Sequence, residues 1–141
     1  MRVFFDASVV IAALLSPAGG SAQVFKFVNL GLIKGITSQT VIEEVLKEGH
    51  LQKLKKSKQE IESFITQSGL VVRRVVTEDE IEAYKNLVDV DDAHLIAGAN
   101  LTKCQYLVTL DKKHLLREDM KEKFLPLRIV SPKEFLQKHF K

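Results

Sequence analysis

The sequence predicts an α/β protein, a single-domain three-layer α/β/α sandwich over residues 1–141 with a mainly parallel central sheet. Strand-like and helix-like segments alternate from end to end, which is the order that parallel strands joined by helices require. The 141 residues, 45% hydrophobic and 28% charged, suit one folded core. No repeat, low-complexity run or linker interrupts the chain. These three observations favour one domain whose sheet is covered on both faces.

The N-terminal half begins with a strand and continues mainly with helices. Residues 2–5, RVFF, form an apolar run that ends at Asp6, and ASVVIAALL is a short helical or buried segment stopped by SPAGG. SAQVFKFVNLG has helical spacing, LIKGIT is a short strand, and SQTVIEEVLKE resumes the helical spacing after Ser38. HLQKLKKSKQEIESFITQSG keeps an apolar stripe and predicts a basic helix.

The C-terminal half alternates more regularly. LVVRRVV is typical of a strand, and TEDEIEAYKNLV predicts a helix with Thr77 and Glu80 as its capping box. DDAHLIAGANLTK predicts another helix, followed by the strands YLVTL and LRIV. The final helix, SPKEFLQKHF, has Ser131 as N-cap, Pro132 at its first position and Glu134 to complete a second capping box.

Composition excludes several classes of protein. Cys104 is the only cysteine, which excludes an intramolecular disulfide and a Cys-rich metal site; it is expected to be a small buried hydrophobe. No segment has the length of a membrane span, and no signal-peptide pattern opens the chain. We therefore expect a cytoplasmic protein without a membrane partner. The net charge of +3 is compatible with a polyanionic partner without requiring one.

Carboxylates recur where predicted strands end. Asp6 follows RVFF and Asp111 follows YLVTL, so a parallel sheet would place both at the edge where open α/β sheets bind ligands. Two further acidic pairs lie in predicted helices: Glu43 with Glu44, and Asp91 with Asp92. Three or four carboxylates at one edge would need a cation or bound protons. Mg²⁺ and Mn²⁺ prefer such oxygen ligands.

Each of these carboxylates also has an ordinary structural explanation. An Asp between a strand and a helix is a good N-cap, which applies to Asp6, Asp92 and Asp111 taken singly. Glu43 or Glu44 alone is typical of a solvated helix face. Recurrence at one predicted edge favours a metal site, but spacing alone leaves the two explanations evenly balanced.

Four segments together resemble the PIN-domain family. They are FFDASVVIAALLSPAGGSAQVF, SQTVIEEVLKE, DVDDAHLIAGA and LVTLDKKHLL, in the family's order, and they extend the resemblance from Arg2 to about Val130. The resemblance implies a parallel α/β/α sandwich and a Mg²⁺- or Mn²⁺-dependent ribonuclease that acts on single-stranded RNA or tRNA. Many such proteins are VapC-like toxins of bacterial toxin–antitoxin pairs. The resemblance therefore also implies an antitoxin partner and a homodimer.

The resemblance assigns roles to individual residues as well. The family's acidic positions, which are its metal ligands and catalytic residues, fall on Asp6, Glu44, Asp92 and Asp111. Ser8, Thr109 and Asp91 would not bind the metal directly but would orient these ligands or a bound water.

The alignment with the family leaves three points open. Glu43 is an alternative to Glu44, and Asp91 an alternative to Asp92, because each position is an acidic doublet. Leu110 departs from many relatives, which have a small or polar residue there. It removes no ligand, although it can alter access to the site.

Two metal ions can activate a water and stabilise the leaving oxygen of a phosphodiester, so no side chain needs to be a general base. His94 lies in an apolar helical segment and is expected to be packed. His114 flanks Asp111; it is the more plausible of the two near substrate, although a surface role is favoured. Lysines within residues 47–58 either contact RNA phosphates or form a solvated helix face.

Three other functions compete with a toxin ribonuclease. A non-catalytic PIN-like interaction module is disfavoured because all four acidic positions are filled. A haloacid dehalogenase-type phosphotransferase needs a second Asp two residues after Asp6, where this chain has Ser8. A housekeeping RNA-processing nuclease stays open, because a neighbouring antitoxin gene, and not the sequence, distinguishes it from a toxin.

Overall fold

A five-stranded, fully parallel sheet forms the centre of the protein in the computed structural model, which describes residues 1–140. Its strands, in the spatial order β3-β2-β1-β4-β5, are β1 (Arg2–Phe5), β2 (Lys34–Ser38), β3 (Val71–Arg73), β4 (Tyr106–Val108) and β5 (Arg128–Val130). The predicted α/β fold with a parallel sheet is confirmed. The single domain over residues 1–141 stays a prediction, and Lys141 lies outside the described residues.

Helices connect the strands and flank the sheet. They are α1 (Ala7–Leu15), α2 (Gly20–Asn29), α3 (Gln39–Val45), α4 (Glu48–Leu54), α5 (Lys58–Ser68), α6 (Glu78–Ile81), α7 (Val90–Leu101), α8 (Glu118–Lys123) and α9 (Pro132–His139). Both predicted capping boxes are present, at the first turns of α6 and α9. Along residues 1–140 no single helix is long and apolar enough to cross a membrane; α1 and α2 pass that test only as a pair bent by 101°.

The core lies on the two faces of the sheet, and one close contact in it positions the site. Phe4 of β1 and Leu107 of β4 are fully buried. A Cβ atom added to Gly98 in α7 would lie 2.8 Å from Cζ of Phe4, so glycine allows this helix to pack directly against the central strand. The same helix carries Asp92 in its first turn, so this contact sets the height of that carboxylate above the sheet. Cys104 is buried, as expected.

The predicted basic helix is wrong as one element. It is divided into α4 and α5 because Lys55 adopts the left-handed conformation, with φ of 55°, and ends α4. Ser57 then begins α5 with a complete capping box, in which its side chain accepts from the Glu60 amide. A serine followed three residues later by glutamate is a helix-start signal, and here it prevails over the continuous apolar stripe.

Two other boundaries differ from the prediction. The helix predicted for TEDEIEAYKNLV is a single α-helical turn, α6, followed by a 3-10 turn at Glu82–Tyr84. The strand-like run LVVRRVV contributes only Val71–Arg73 to the sheet, where β3 is an edge strand. The short helix α8 was not predicted, because six residues offer too little periodicity to recognise.

Candidate metal centre

The candidate site lies where the strand order of the sheet reverses. From β1 the chain builds β2 and β3 on one side, whereas β4 and β5 lie on the other. The register pairs Phe5 with Val108, so Asp6 and Thr109 leave the ends of adjacent strands side by side. In open α/β sheets this reversal opens a crevice at the carboxyl ends of the strands, which is the usual ligand site.

Asp6 occupies the N-cap position of α1, but its carboxylate does not cap the helix. Its Oδ2 atom instead accepts hydrogen bonds from the hydroxyls of Ser8, at 2.9 Å, and Thr109, at 2.7 Å. Both bonds go to one oxygen, so Oδ1 is the oxygen left for a ligand. The N-cap explanation is therefore wrong for Asp6.

The two hydroxyls that hold Asp6 are themselves held by the loop after β4. Thr109 Oγ1 accepts from the Asp111 amide at 3.1 Å, and Ser8 Oγ accepts from the Leu110 amide at 3.1 Å. Each hydroxyl thus donates to the carboxylate and accepts from the backbone, which fixes its rotation. Asp6 and the chain leading to Asp111 are joined through these bonds.

Asp92 and Asp111 approach the same crevice from different elements. The N-cap of α7 is Asp89, whose carboxylate accepts from the Asp91 amide at 3.0 Å, so the N-cap explanation is also wrong for Asp92. It is partly right for Asp111, whose Oδ1 accepts from the His114 amide at 2.9 Å and stabilises the turn that follows.

The pKa of Asp92 reflects the other carboxylates of the crevice. Partial burial first, and then the negative charges of Asp111 and Asp6, together raise the pKa of Asp92 to about 6. Asp6, Asp92 and Asp111 all line one cleft, and ligand atoms of Asp92 and Asp111 lie within 4.8 Å of each other. The cleft therefore concentrates negative charge, and its lysine, Lys47, is paired with Glu44.

Glu44 and Asp91 line the same cleft, which has a volume of about 630 Å³. Glu44 is paired with Lys47, whose Nζ lies 2.5 Å from its Oε2, and this contact raises the pKa of the lysine. Glu43 is exposed and is not among the residues that line the cleft. The structure thus separates the acidic doublet at Glu43 and Glu44, whereas Asp91 and Asp92 both remain beside the site.

Thr40 and His50 are polar cleft residues that were missed from the sequence, whereas Lys47 belongs to the lysines of residues 47–58 that were candidates for phosphate contact. Thr40 and Lys47 lie four residues before and three after Glu44, a spacing that places them on its face of α3 and the turn beyond. His50 also lines the cleft, with its Nδ1 2.8 Å from the Glu44 carbonyl oxygen. The helical spacing around Glu44 was the available signal.

His94 is half-buried and lines the cleft, so the expectation that it is only packed is incomplete. Burial lowers its pKa, although the nearby carboxylates of Asp6 and Glu44 act in the opposite direction. Its buried Nδ1 atom has no hydrogen-bond partner among residues 1–140.

The donor atoms present fit a divalent cation. Asp92, Asp111 and His114 each offer one ligand atom, and these atoms lie within 4.8 Å of one another. Carboxylate oxygens suit Mg²⁺ and Mn²⁺, and a bound cation would relieve the repulsion that raises the pKa of Asp92.

Comparisons with solved structures show the same fold. VapBC2 of Rickettsia felis, bound to a DNA fragment from its promoter, has a TM-score of 0.59 at 15% identity, over 92% of this chain and 97% of that chain. VapC20 of Mycobacterium tuberculosis, a sarcin–ricin loop cleaving toxin, has a TM-score of 0.52 at 16% identity, over 79% and 91%. VapBC-1 of nontypeable Haemophilus influenzae has 0.53 at 11% identity, over 94% and 99%.

The two sequence comparisons gave different results. No curated protein sequence matches the chain significantly. The family model described as PIN domain matches residues 2–113, which include Asp6, Glu44, Asp92 and Asp111. The chain therefore belongs to the PIN-domain family, a family of nucleases.

Proposed function

We propose that this protein is a metal-dependent ribonuclease that hydrolyses phosphodiester bonds of single-stranded RNA, including tRNA. One observation carries the proposal. Asp6, Asp92 and Asp111, which come from two strand ends and a helix, line one cleft at the edge of the sheet, where burial and their mutual charge raise the pKa of Asp92. Such a charge cluster in a cleft is typical of a functional site and is costly in a purely structural one.

Asp6, Glu44, Asp92 and Asp111 would hold Mg²⁺ or Mn²⁺. When bound, the metal would activate water and neutralise charge on the scissile phosphate. Ser8 and Thr109 keep Asp6 aimed at the site through their bonds to its Oδ2. Asp91 lies beside the cluster in the same cleft and adds negative charge to it.

Lys47 is the basic residue best placed to bind substrate. It lines the cleft and its side chain is 67% exposed, so an RNA phosphate would compete with Glu44 for its ammonium group. Lys53 in α4, Lys55 at its end and Lys58 at the start of α5 are also exposed.

A role as the toxin of a toxin–antitoxin pair is the biological setting that we propose. The fold is shared with a toxin that cleaves the sarcin–ricin loop and with two VapBC proteins. An antitoxin protein is accordingly the proposed partner. The homodimer and the cytoplasmic location stay predictions, and a non-catalytic role is disfavoured by the complete acidic set.

Cleavage of RNA should require a divalent cation. The purified protein is incubated with a mixed pool of labelled single-stranded RNAs, with Mg²⁺ or Mn²⁺ and with EDTA. We expect cleavage with either metal, none in EDTA, and recovery when excess metal is restored, because the carboxylates alone supply no positive charge to the phosphate. Cleavage that persists in EDTA would contradict the metal-dependent mechanism.

Glu44 and Glu43 form a matched pair for testing the second acidic position. Glu44→Gln should reduce cleavage about tenfold or more, because it removes a charged oxygen from the cleft. Glu43→Gln makes the same chemical change on an exposed face outside the cleft and should leave cleavage unchanged. Initial rates at saturating Mn²⁺ measure both. The reverse pattern would move the ligand assignment by one residue.

A further inference from the structure

His114 faces the carboxylate pair of Asp92 and Asp111 and is held there by a tight turn. Its Nδ1 atom lies 3.3 Å from Oδ2 of Asp111. Its backbone amide donates to Oδ1 of the same carboxylate at 2.9 Å. Asp111 therefore fixes both the backbone and the ring of His114.

The turn has further support from the core. The Asp111 carbonyl accepts from the amides of Leu115, at 3.2 Å, and Leu116, at 2.9 Å. Leu115 is fully buried. His114 itself is 45% exposed, so a cation from solvent can reach its ring while the backbone beneath it stays in place.

The distances suit shared coordination better than they suit a strong ion pair. Two ligands on adjacent corners of an octahedral ion at about 2.1 Å lie about 3 Å apart. The Nδ1–Oδ2 separation of 3.3 Å is close to that value and is beyond the usual 2.7–2.9 Å of a charge-assisted hydrogen bond. The ligand atom of Asp92 lies within 4.8 Å of both atoms that His114 and Asp111 offer.

We propose that His114 is a nitrogen ligand of the catalytic cation, sharing it with Asp92 and Asp111, and that it makes the site selective for Mn²⁺ over Mg²⁺. The proposal rests on the metal-dependent function proposed above and specifies its cofactor. Imidazole suits transition metals, whereas Mg²⁺ takes oxygen ligands. Nδ1 would ligate in the tautomer that carries its proton on Nε2.

Two alternatives predict different results. In the first, His114 is only an ionic neighbour of Asp111 and the metal has oxygen ligands alone. In the second, the nitrogen comes from His94, whose buried Nδ1 lines the same cleft without a hydrogen bond from any described residue. His94 is absent from the set of ligand atoms within 4.8 Å, which favours His114.

Pulsed EPR of bound Mn²⁺ measures nitrogen ligation directly and does not depend on catalysis. We expect ¹⁴N modulation from the wild-type protein, replaced by a ¹⁵N signal when histidine is labelled with ¹⁵N. His114→Gln should abolish the modulation and weaken Mn²⁺ binding about tenfold or more, with much less effect on Mg²⁺ binding. The exposed position should tolerate glutamine, and His94→Gln, the matched control, should retain the modulation.

The outcomes separate this proposal from the proposed function. Mn²⁺ that binds without ¹⁴N modulation, while RNA cleavage still requires metal, would overturn the histidine ligand and leave the nuclease standing. Modulation that survives in His114→Gln and is lost in His94→Gln would assign the nitrogen to His94 and overturn the proposal. Absence of Mn²⁺ binding, measured by titration calorimetry, would overturn the histidine ligand, and absence of Mg²⁺ binding as well would also overturn the metal-dependent nuclease.

Discussion

Asp6→Asn is expected to reduce RNA cleavage more than about 100-fold, beyond the loss typical of residues that only support a metal ligand. The substitution keeps an oxygen that can accept from the Ser8 and Thr109 hydroxyls, so the local structure should persist. It replaces the other oxygen, the one left for a ligand, with an amide that donates hydrogen bonds and carries no charge. Cleavage rates at saturating Mn²⁺ and thermal melts test the two halves of this expectation.

Asp89→Asn is the matched control. Like Asp6, Asp89 is an aspartate just before a helix, and its charge acts on Asp92. It caps α7, however, and does not line the cleft. Asparagine caps about as well as aspartate, so both stability and cleavage should be preserved. An Asp6→Asn protein that is folded and fully active would remove Asp6 from the metal site, whereas an unfolded one would assign it a structural role.

Much of the fold was predictable because its signals are local. The alternation of strands and helices and the capping residues Ser131 and Glu134 each depend on a few neighbouring positions. The break between α4 and α5 was missed because the apolar stripe continues through it, while the decisive signal was the Ser57–Glu60 pair. Helix boundaries depend on such short-range capping signals, which the periodicity of apolar residues over a longer segment does not resolve.

The site was predictable as a set of residue types at strand ends, but not as a geometry. That Asp6 accepts two hydroxyls on a single oxygen depends on the register between β1 and β4, which neighbouring residues do not encode. The cap assignments show the same limit: Asp89, and not Asp92, caps α7, because the helix begins earlier than the apolar pattern suggests. The orientation of His114 likewise depends on a turn that only the folded chain defines.

The Asp92→Asn protein is expected to be more stable than the wild type without metal, and less responsive to it. In the wild type, burial and the charges of Asp111 and Asp6 raise the Asp92 pKa from 3.8 to about 6. The ionised carboxylate therefore opposes folding at neutral pH. We expect a gain of about 1–2 kcal/mol in the free energy of unfolding in EDTA at pH 7, discounted for solvent because the side chain is only half buried.

The pH dependence of this difference has a definite sign. The folded state holds its proton on Asp92 at higher pH than the unfolded state does, so the stability from protonation is fully present below about pH 4 and is lost as the pH rises toward about 6. The wild-type free energy of unfolding in EDTA should thus fall across this window relative to that of Asp92→Asn. Denaturant titrations at intervals from pH 4 to 7 measure the difference between the two proteins, in which the other titrating groups largely cancel.

Metal should reverse the ranking of the two proteins. A cation at a hundredfold excess over its dissociation constant stabilises the folded state by about 2.7 kcal/mol, and the wild type should gain this amount in millimolar Mn²⁺. Asp92→Asn should lose most of that gain, because it lacks one of the ligand oxygens that lie within 4.8 Å of the Asp111 and His114 donor atoms. Wild-type stability that is indifferent to Mn²⁺, together with no stabilisation by Asp92→Asn in EDTA, would mean that these carboxylates do not form a metal cluster. An Asp92→Asn protein that is more stable in EDTA and unresponsive to Mn²⁺ would show that the carboxylates whose repulsion weakens the metal-free fold are the ones that bind the cation.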